Sequence, residues 1–253
     1  MVVVTGIEGL RPEHGRLFLV VGVFDGIHRG HTYLLEHLRH EAARRGATPA
    51  VVTFDHHPDE ILVGAAPPLL CDPAERLERL AAAGVGVTIV VHFDDALRRT
   101  EYDAFVRSIA ERTAIDGFLM TPDAAFGHER RGTPSSLSEL GRRMGFDVVV
   151  VPPFELDGGP VRSTDIRRAI EAGDLTTASR LLGRPVAVVG VAALEDGRSL
   201  VTFELPVALP ASGTYAVRIQ SAETSRSGHA SIAGGRLELD SDARGRVRIE
   251  FRR

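Results

Sequence analysis

Five short, nearly continuous apolar runs constrain this sequence more than any other feature, because they alternate with amphipathic stretches over the first 184 residues. Apolar runs of this kind are typical of parallel strands that are buried on both faces. The amphipathic stretches predict the connecting helices, so the pattern favours a three-layer α/β fold with right-handed crossovers and five parallel strands. The predicted strands are 17–23, 50–54, 87–92, 117–120 and 147–151, and the predicted helices are 31–45, 73–83, 101–113, 135–144, 163–172 and, with Asp174 as N-cap, a last one ending at 182.

The pattern of apolar and polar residues changes after residue 184. Short β-like runs separated by Gly and Asp turns replace the helical period, which predicts a small, barrel-like all-β module. We therefore expect a domain over 1–184 and a second one over 185–253. The predicted strands of the second domain are 186–191, 200–205, 214–220, 228–232, 237–240 and 246–251.

Composition excludes several classes of function. The net charge is −4 and Trp is absent, so the chain has neither a basic field nor many aromatic platforms for nucleic acid. The apolar runs are too short to span a membrane. A single cysteine, Cys71, cannot form an internal disulfide, which indicates a cytoplasmic protein. All 30 Lys and Arg residues are Arg, so a P-loop lysine and a lysine Schiff base are excluded.

The strongest local signal is the segment 20–31, VVGVFDGIHRGH, in which a predicted strand ends in a glycine-rich turn that opens a helix. Gly22, Gly26 and Gly30 allow the backbone to approach a ligand closely, and amides at a helix start favour anionic oxygens. His28 and His31 can donate to phosphate oxygens. Capping or packing by one histidine, or a zinc pair, are the alternatives; His-x-x-His alone is weak evidence for metal, and we predict no metal ligands.

A second element, VRSTDIR at 161–167, offers the hydroxyls of Ser163 and Thr164 and the guanidinium of Arg167 at a helix start. Alone it is a common helix opening. We expect Arg167 and His31 to be solvated in the free protein, so that truncating either would change stability by less than about 0.5 kcal/mol.

Together these residues carry a family resemblance. GVFDGIHRGH, TFDHHP at 53–58, AFG at 125–127 and VRSTDIR occur in the order found in the adenylyltransferase module of bacterial FAD synthetases, members of the HxGH nucleotidylyltransferases, which the chain resembles over about residues 15–190. The resemblance implies a Rossmann-like fold. It also implies that an FMN phosphate attacks the α-phosphorus of Mg²⁺-bound ATP, giving FAD and pyrophosphate.

The resemblance also implies roles for single residues. His28, His31 and Arg167 would be catalytic, and His57 and Pro58 would bind the acceptor. Two motifs depart from the family pattern: TPDA at 121–124 loses a glycine and an aromatic residue, and His56 replaces a proline without an expected role as acid or base. The implied nucleotide-binding residues are Gly22, Phe24, Asp25, Gly26, Gly30, Asp123, Ser163 and Thr164.

The C-terminal module departs further. Family members usually continue into a riboflavin kinase barrel with a Gly-x-Pro-Thr-Ala-Asn segment, whereas residues 197–206 of this chain lack a Pro-Thr pair and the chain contains no asparagine. We therefore predict a shortened riboflavin-kinase-like barrel without kinase activity. Glu204, Glu238 and Glu250 are possible bases, and solvation on a strand face is the favoured interpretation.

Two alternatives stay open. The altered 121–124 and His56 positions suggest transfer to another phosphorylated acceptor, or with CTP in place of ATP. The altered barrel suggests a noncatalytic nucleotide or flavin sensor. The sequence does not identify the acceptor, a ligand of the barrel or the oligomeric state.

Overall fold

A computed structural model of the chain describes residues 1–195, 197–222 and 224–252. It divides into two compact units, each assembled from several segments. The first unit comprises Met1–Phe24, Gly30–Pro67 and Leu77–Glu155, and the second comprises Asp25–Arg29, Pro68–Arg76 and Leu156–Arg253. The domain boundary at residue 184 stays a prediction.

The first unit is built on a six-stranded parallel sheet, so the α/β class is confirmed. The strand order is β1-β4-β3-β2-β5-β6, and every neighbouring pair is parallel. The predicted count of five strands was wrong, because β1 adds an edge. That strand has only four residues and leaves Val2 and Val3 about half exposed, so it lacks the signal of a buried strand. The strands are β1 (Val2–Thr5), β2 (Leu17–Val21), β3 (Thr48–Phe54), β4 (Val87–Val91), β5 (Ile115–Met120) and β6 (Asp147–Val150).

The helices begin and end close to the predicted positions. Helix α6 shows why: the Thr133 hydroxyl accepts from the Ser136 amide, Pro134 occupies the first turn, and Gly145 ends the helix in the left-handed region. The single-turn helices α2 and α4 were not predicted. The helices up to residue 144 are α1 (Arg29–Arg45), α2 (Asp59–Leu62), α3 (Pro73–Ala82), α4 (Asp95–Arg98), α5 (Tyr102–Ala110) and α6 (Pro134–Met144).

The second unit contains helices α7 (Ser163–Glu171) and α8 (Leu175–Leu182) and a closed antiparallel barrel. A two-stranded sheet, β7 (Glu155–Leu156) with β8 (Gly159–Pro160), precedes them. The barrel order is β10-β13-β12-β11-β14-β9, and the pairing of β9 with β10 closes it. All six predicted β runs correspond to barrel strands, which confirms the all-β module. They are β9 (Ala187–Glu195), β10 (Arg198–Thr202), β11 (Gly213–Gln220), β12 (Ser225–Ala233), β13 (Arg236–Leu239) and β14 (Gly245–Phe251).

None of the helices in the described ranges has the length and the apolar character that a membrane crossing requires.

Candidate active site

The loop between β2 and α1 holds an unusual backbone conformation. Phe24, Gly26 and Ile27 all have positive φ, at 53°, 81° and 37°. Gly26 adopts this region without strain, whereas the β-branched Ile27 does not. Strained residues persist only where surrounding contacts over-determine them, and they cluster at functional sites. The loop conformation is therefore a built feature, and the contacts that hold it identify the site.

Asp25 anchors the loop within the second unit. Its two carboxylate oxygens accept from the Leu70 amide at 2.9 and 3.0 Å, and Arg167 Nη2 donates to Oδ2 at 2.6 Å. Arg167 Nε donates to the Pro68 carbonyl at 2.7 Å, and the Ser163 hydroxyl donates to the Asp25 carbonyl at 3.2 Å. The predicted glycine loop and the predicted helix opening are therefore brought together through Asp25.

The expectation that Arg167 is solvated was wrong. Its residue exposure is 8%, and that of Asp25 is 3%, so this ion pair is buried. The guanidinium is drawn inward because a buried carboxylate needs a paired charge. Contact of either side chain with a nucleotide stays a prediction.

Arg184 is a member of the site that the sequence did not reveal. Its guanidinium donates to the carbonyls of Gly26 and Ile27, the latter at 3.0 Å. No cis peptide occurs among the described residues, and the C=O and N–H of a trans peptide point in opposite directions. The amides of Ile27 and His28 consequently face away from Arg184. The only sequence signal was its position in the Gly183-Arg184-Pro185 segment at the predicted domain boundary.

His28 is buried at 4% exposure and is electrostatically perturbed. Burial lowers the pKa of its imidazole from 6.5 to about 4, and the positive charges of Arg184 and Arg167 act in the same direction. At neutral pH the ring is therefore uncharged and offers one N–H donor and one acceptor. Two guanidinium groups face one carboxylate around this loop, which leaves the surroundings of the neutral ring net positive.

Helix α7 begins beside the loop at Ser163, and among the described residues no side chain caps it at Arg162. The partial positive charge of a helix N-terminus favours an anion. Ser163 is half-buried and Thr164 is exposed. The structure thus brings six of the predicted residues into one unit. Ser163 and Thr164 reach solvent there, whereas the others are buried: Asp25, Gly26, His28 and Arg167.

The first unit holds the other half of the predicted motif. His31 lies in the first turn of α1 with Gly30, and its ring packs against Phe24 with centroids 5.0 Å apart. His31 is half-buried. Gly22 follows β2, where an added Cβ would lie 3.1 Å from the Phe24 ring.

An apolar cavity of about 610 Å³ lies in the first unit. This volume is within the range of small-molecule sites. His57 and Pro58, the predicted acceptor residues, both line it, and the His57 Nδ1 accepts from the Asp59 amide at 3.2 Å. The altered segment 121–124 does not line it. The aromatic wall of the cavity consists of Phe54, Phe93, Phe105 and Phe126, and its charged lining is mixed, with Arg98 and Arg130 beside Asp59 and Glu129.

Asp123 is exposed near this unit's surface. Its Oδ1 accepts from the Thr121 hydroxyl at 2.8 Å, and Arg130 donates to its carbonyl at 3.1 Å. Its contact with nucleotide stays a prediction.

A parallel α/β unit, a strained glycine loop with a buried histidine and a closed antiparallel barrel are together compatible with a nucleotide-binding enzyme that carries an added β module. The family model described as FAD synthetase matches residues 10–165. The chain belongs to the FAD synthetase family.

Curated relatives match most of the chain. The bifunctional riboflavin kinase/FMN adenylyltransferase of Pseudomonas fluorescens is 32% identical over 259 residues, covering 99% of this chain and 83% of the relative. The protein of the same name from Escherichia coli K12 is 32% identical over 230 residues, covering 87% and 73%. These matches confirm the resemblance, and the chain is an enzyme of the nucleotidyltransferase class.

A crystal structure titled as a macrolide-efflux protein from Streptococcus pneumoniae has the same fold. Its TM-score is 0.86 at 23% identity, and the match covers 99% of this chain and 90% of that chain. At that identity the likeness concerns the fold alone, including the barrel.

Proposed function

We propose that this protein transfers AMP from Mg²⁺-bound ATP to FMN, giving FAD and pyrophosphate, and that it lacks riboflavin kinase activity. One observation carries the proposal: in the second unit, a strained glycine loop and a neutral, buried imidazole lie beside the start of α7, where Ser163 and Thr164 form a solvent-accessible surface. That surface has the chemistry of a triphosphate site.

The second unit binds and orients the triphosphate. The Ile27 and His28 amides, the Ser163 and Thr164 hydroxyls and the α7 N-terminus donate to its oxygens. The Asp25 carboxylate does not repel the triphosphate strongly, because the Arg167 guanidinium, 2.6 Å away, neutralises the charge of the carboxylate. Binding of this polyanion raises the pKa of His28 again, so the ring becomes a better donor as the ligand arrives.

The first unit takes the flavin. The isoalloxazine ring is flat and aromatic, which fits a cavity walled by Phe54, Phe93 and Phe126. Arg98 and Arg130 line the same cavity beside the carboxylates of Asp59 and Glu129, and their guanidinium groups can pair with the FMN phosphate. His57 and Pro58 contribute to the same wall.

The chemical step needs no side-chain nucleophile. An FMN phosphate oxygen, already anionic at neutral pH, forms a bond to the α-phosphorus as the bond from that phosphorus to the bridging oxygen breaks, and pyrophosphate leaves with the negative charge. Positioning and charge stabilisation supply the acceleration in such transfers. His28 and His31 act by donating to oxygens on which charge increases.

Loss of kinase activity rests on the barrel. The expected Pro-Thr-Ala-Asn segment is missing where β10 lies, and two of the three candidate bases have arginine neighbours: Glu250 lies 3.2 Å from Arg252 and Glu238 lies 3.9 Å from Arg198. We further expect the protein in the cytoplasm, since its single cysteine forms no internal disulfide.

The test is a panel of reactions with purified protein, following pyrophosphate release and product mass. ATP with FMN should give FAD and pyrophosphate, whereas riboflavin with ATP should give no FMN. Turnover with CTP or only with another phosphorylated acceptor would overturn the substrate assignment. Nucleotide or flavin binding without any turnover would support a sensor, and FMN formation would show that the barrel retains kinase activity.

A further inference from the structure

A cluster of three metal-ligating side chains lies in the first unit, and the mechanism above does not use it. Asp55, His56 and His92 each offer one ligand atom, and these atoms all lie within 4.8 Å of one another. Among the described residues no other group of three His, Cys, Asp or Glu side chains meets that condition.

The parallel sheet brings these residues together. Phe54 and Val91 end β3 and β4 and are paired in register, so Asp55 and His92 follow adjacent strands at the same edge of the sheet. The Asp55 amide donates to the Val91 carbonyl at 3.1 Å, which extends the ladder by one step. Backbone pairing therefore places Asp55 and His92 side by side, and the exposed imidazoles reach the carboxylate from there.

The carboxylate of Asp55 is already oriented. The backbone amides of His56 and Phe93 donate to its Oδ1 at 2.7 and 3.3 Å. Such outer contacts fix a ligating carboxylate and are typical of metal sites.

The distances suit one ion. Two ligands of a tetrahedral zinc ion, each about 2.1 Å from it, stand about 3.4 Å apart. His56 Nδ1 lies 3.2 Å from Asp55 Oδ1, and His92 Nδ1 lies 2.6 Å from Asp55 Oδ2. The two contacts use different oxygens of the Asp55 carboxylate, so an ion would replace the short His92 contact and bind between the carboxylate and the two rings. The His56 and His92 side chains are 44% and 66% exposed, so the ion has a path from solvent and a fourth position for water.

We propose that Asp55, His56 and His92 form a binding site for one divalent transition-metal ion of the zinc type. Two imidazole nitrogens and one carboxylate oxygen are borderline ligands, which favour Zn²⁺ over Mg²⁺. The site is distinct from the use of Mg²⁺ with ATP, and His56 gains a role that its sequence position did not indicate.

The test is a calorimetric titration of the chelator-treated full chain. Zn²⁺ is the titrant, and the buffer contains excess Mg²⁺. The wild-type protein should bind one Zn²⁺ per chain, and His56→Ala and His92→Ala should each weaken binding roughly tenfold or more. The matched control is His229→Ala, because His229 also pairs with a carboxylate, Asp240, at 3.0 Å but has no third ligand among the described residues. Circular dichroism melts establish that each variant is folded, and His92→Gln replaces His92→Ala if the latter is not.

Three results would overturn the site: no saturable Zn²⁺ binding by the wild type, an equal loss of affinity in His229→Ala, or binding that persists in the folded His56→Ala, His92→Ala double variant. The last result would move the ion to other histidines, such as His28 or His31.

Discussion

Removal of the Arg167 side chain should destabilise this protein strongly. Arg167 is 8% exposed, and its guanidinium donates to Asp25 Oδ2 at 2.6 Å and to the Pro68 carbonyl at 2.7 Å. Arg167→Ala leaves the Asp25 carboxylate, 3% exposed, without its counter-charge. Breaking a buried pair from one side costs about 3–5 kcal/mol in the free energy of unfolding. For a chain of this length, roughly 2–4 °C per kcal/mol gives a fall in Tm of about 6–20 °C.

The assay is thermal and urea unfolding, with Arg168→Ala as the matched control. Arg168 lies in the same helix, but its side chain is 76% exposed and its ion pair with Asp165 is long, at 3.7 Å. Because exposed ion pairs contribute little, this variant should change stability by less than about 0.5 kcal/mol. A double variant, Asp25→Asn with Arg167→Met, should lose less stability than the sum of the two single changes, since neither charge is then left alone. If Arg167→Ala has the same Tm as Arg168→Ala, the inference of a buried ion pair is refuted.

Three further changes test the site. Stability should fall by up to about 3 kcal/mol as the pH drops from 6.5 to about 4, because His28 is protonated in this range in the unfolded chain and not in the folded chain. In urea melts over a series of pH values, His28→Gln should show a smaller fall in this range. Gly26→Ala should cost about 1–3 kcal/mol more than Gly64→Ala, because both have positive φ but only at Gly26 would the new Cβ meet another atom, Leu70 Cβ, at 2.8 Å; equal melts would contradict the steric argument. His31→Ala should lower kcat by about 10²–10³ while the exposed His40→Ala on the same helix keeps normal turnover, and an unchanged kcat would remove His31 from the mechanism.

The sequence alone was sufficient for the class of fold. A parallel strand buried on both faces must be apolar at nearly every position, so β2 to β5 were recognisable without tertiary information. The edge strand β6 was found from its apolar run alone, although it is partly exposed. Helix α6 was equally accessible, since Thr133, Pro134 and Gly145 are local signals of a start and a stop. The edge strand β1 was not predicted because it has only four residues, of which only Val4 is buried.

The candidate site could be predicted from the sequence only in part. The segment 22–31 combines strand, glycines and histidines within ten residues, and the flavin-wall candidates His57 and Pro58 follow another strand closely, so local order sufficed to select them. The protonation state of these residues could not be predicted. The sequence does not distinguish a solvated histidine from one that, like His28, is neutral because it is buried beside positive charges.

Only the tertiary structure decided which charges are paired. Asp25 and Arg167 are 142 positions apart, and Arg184 is separated from the Gly26 carbonyl by 158. A guanidinium at a helix start is solvated or buried according to what the fold brings against it, and no local pattern encodes that partner. The same holds for Asp55 and His92, which meet because β3 and β4 are neighbours in the sheet. Local sequence thus determines the elements and the chemistry available in them, whereas burial and pairing across the fold determine which of those groups carry charge, strain or a ligand.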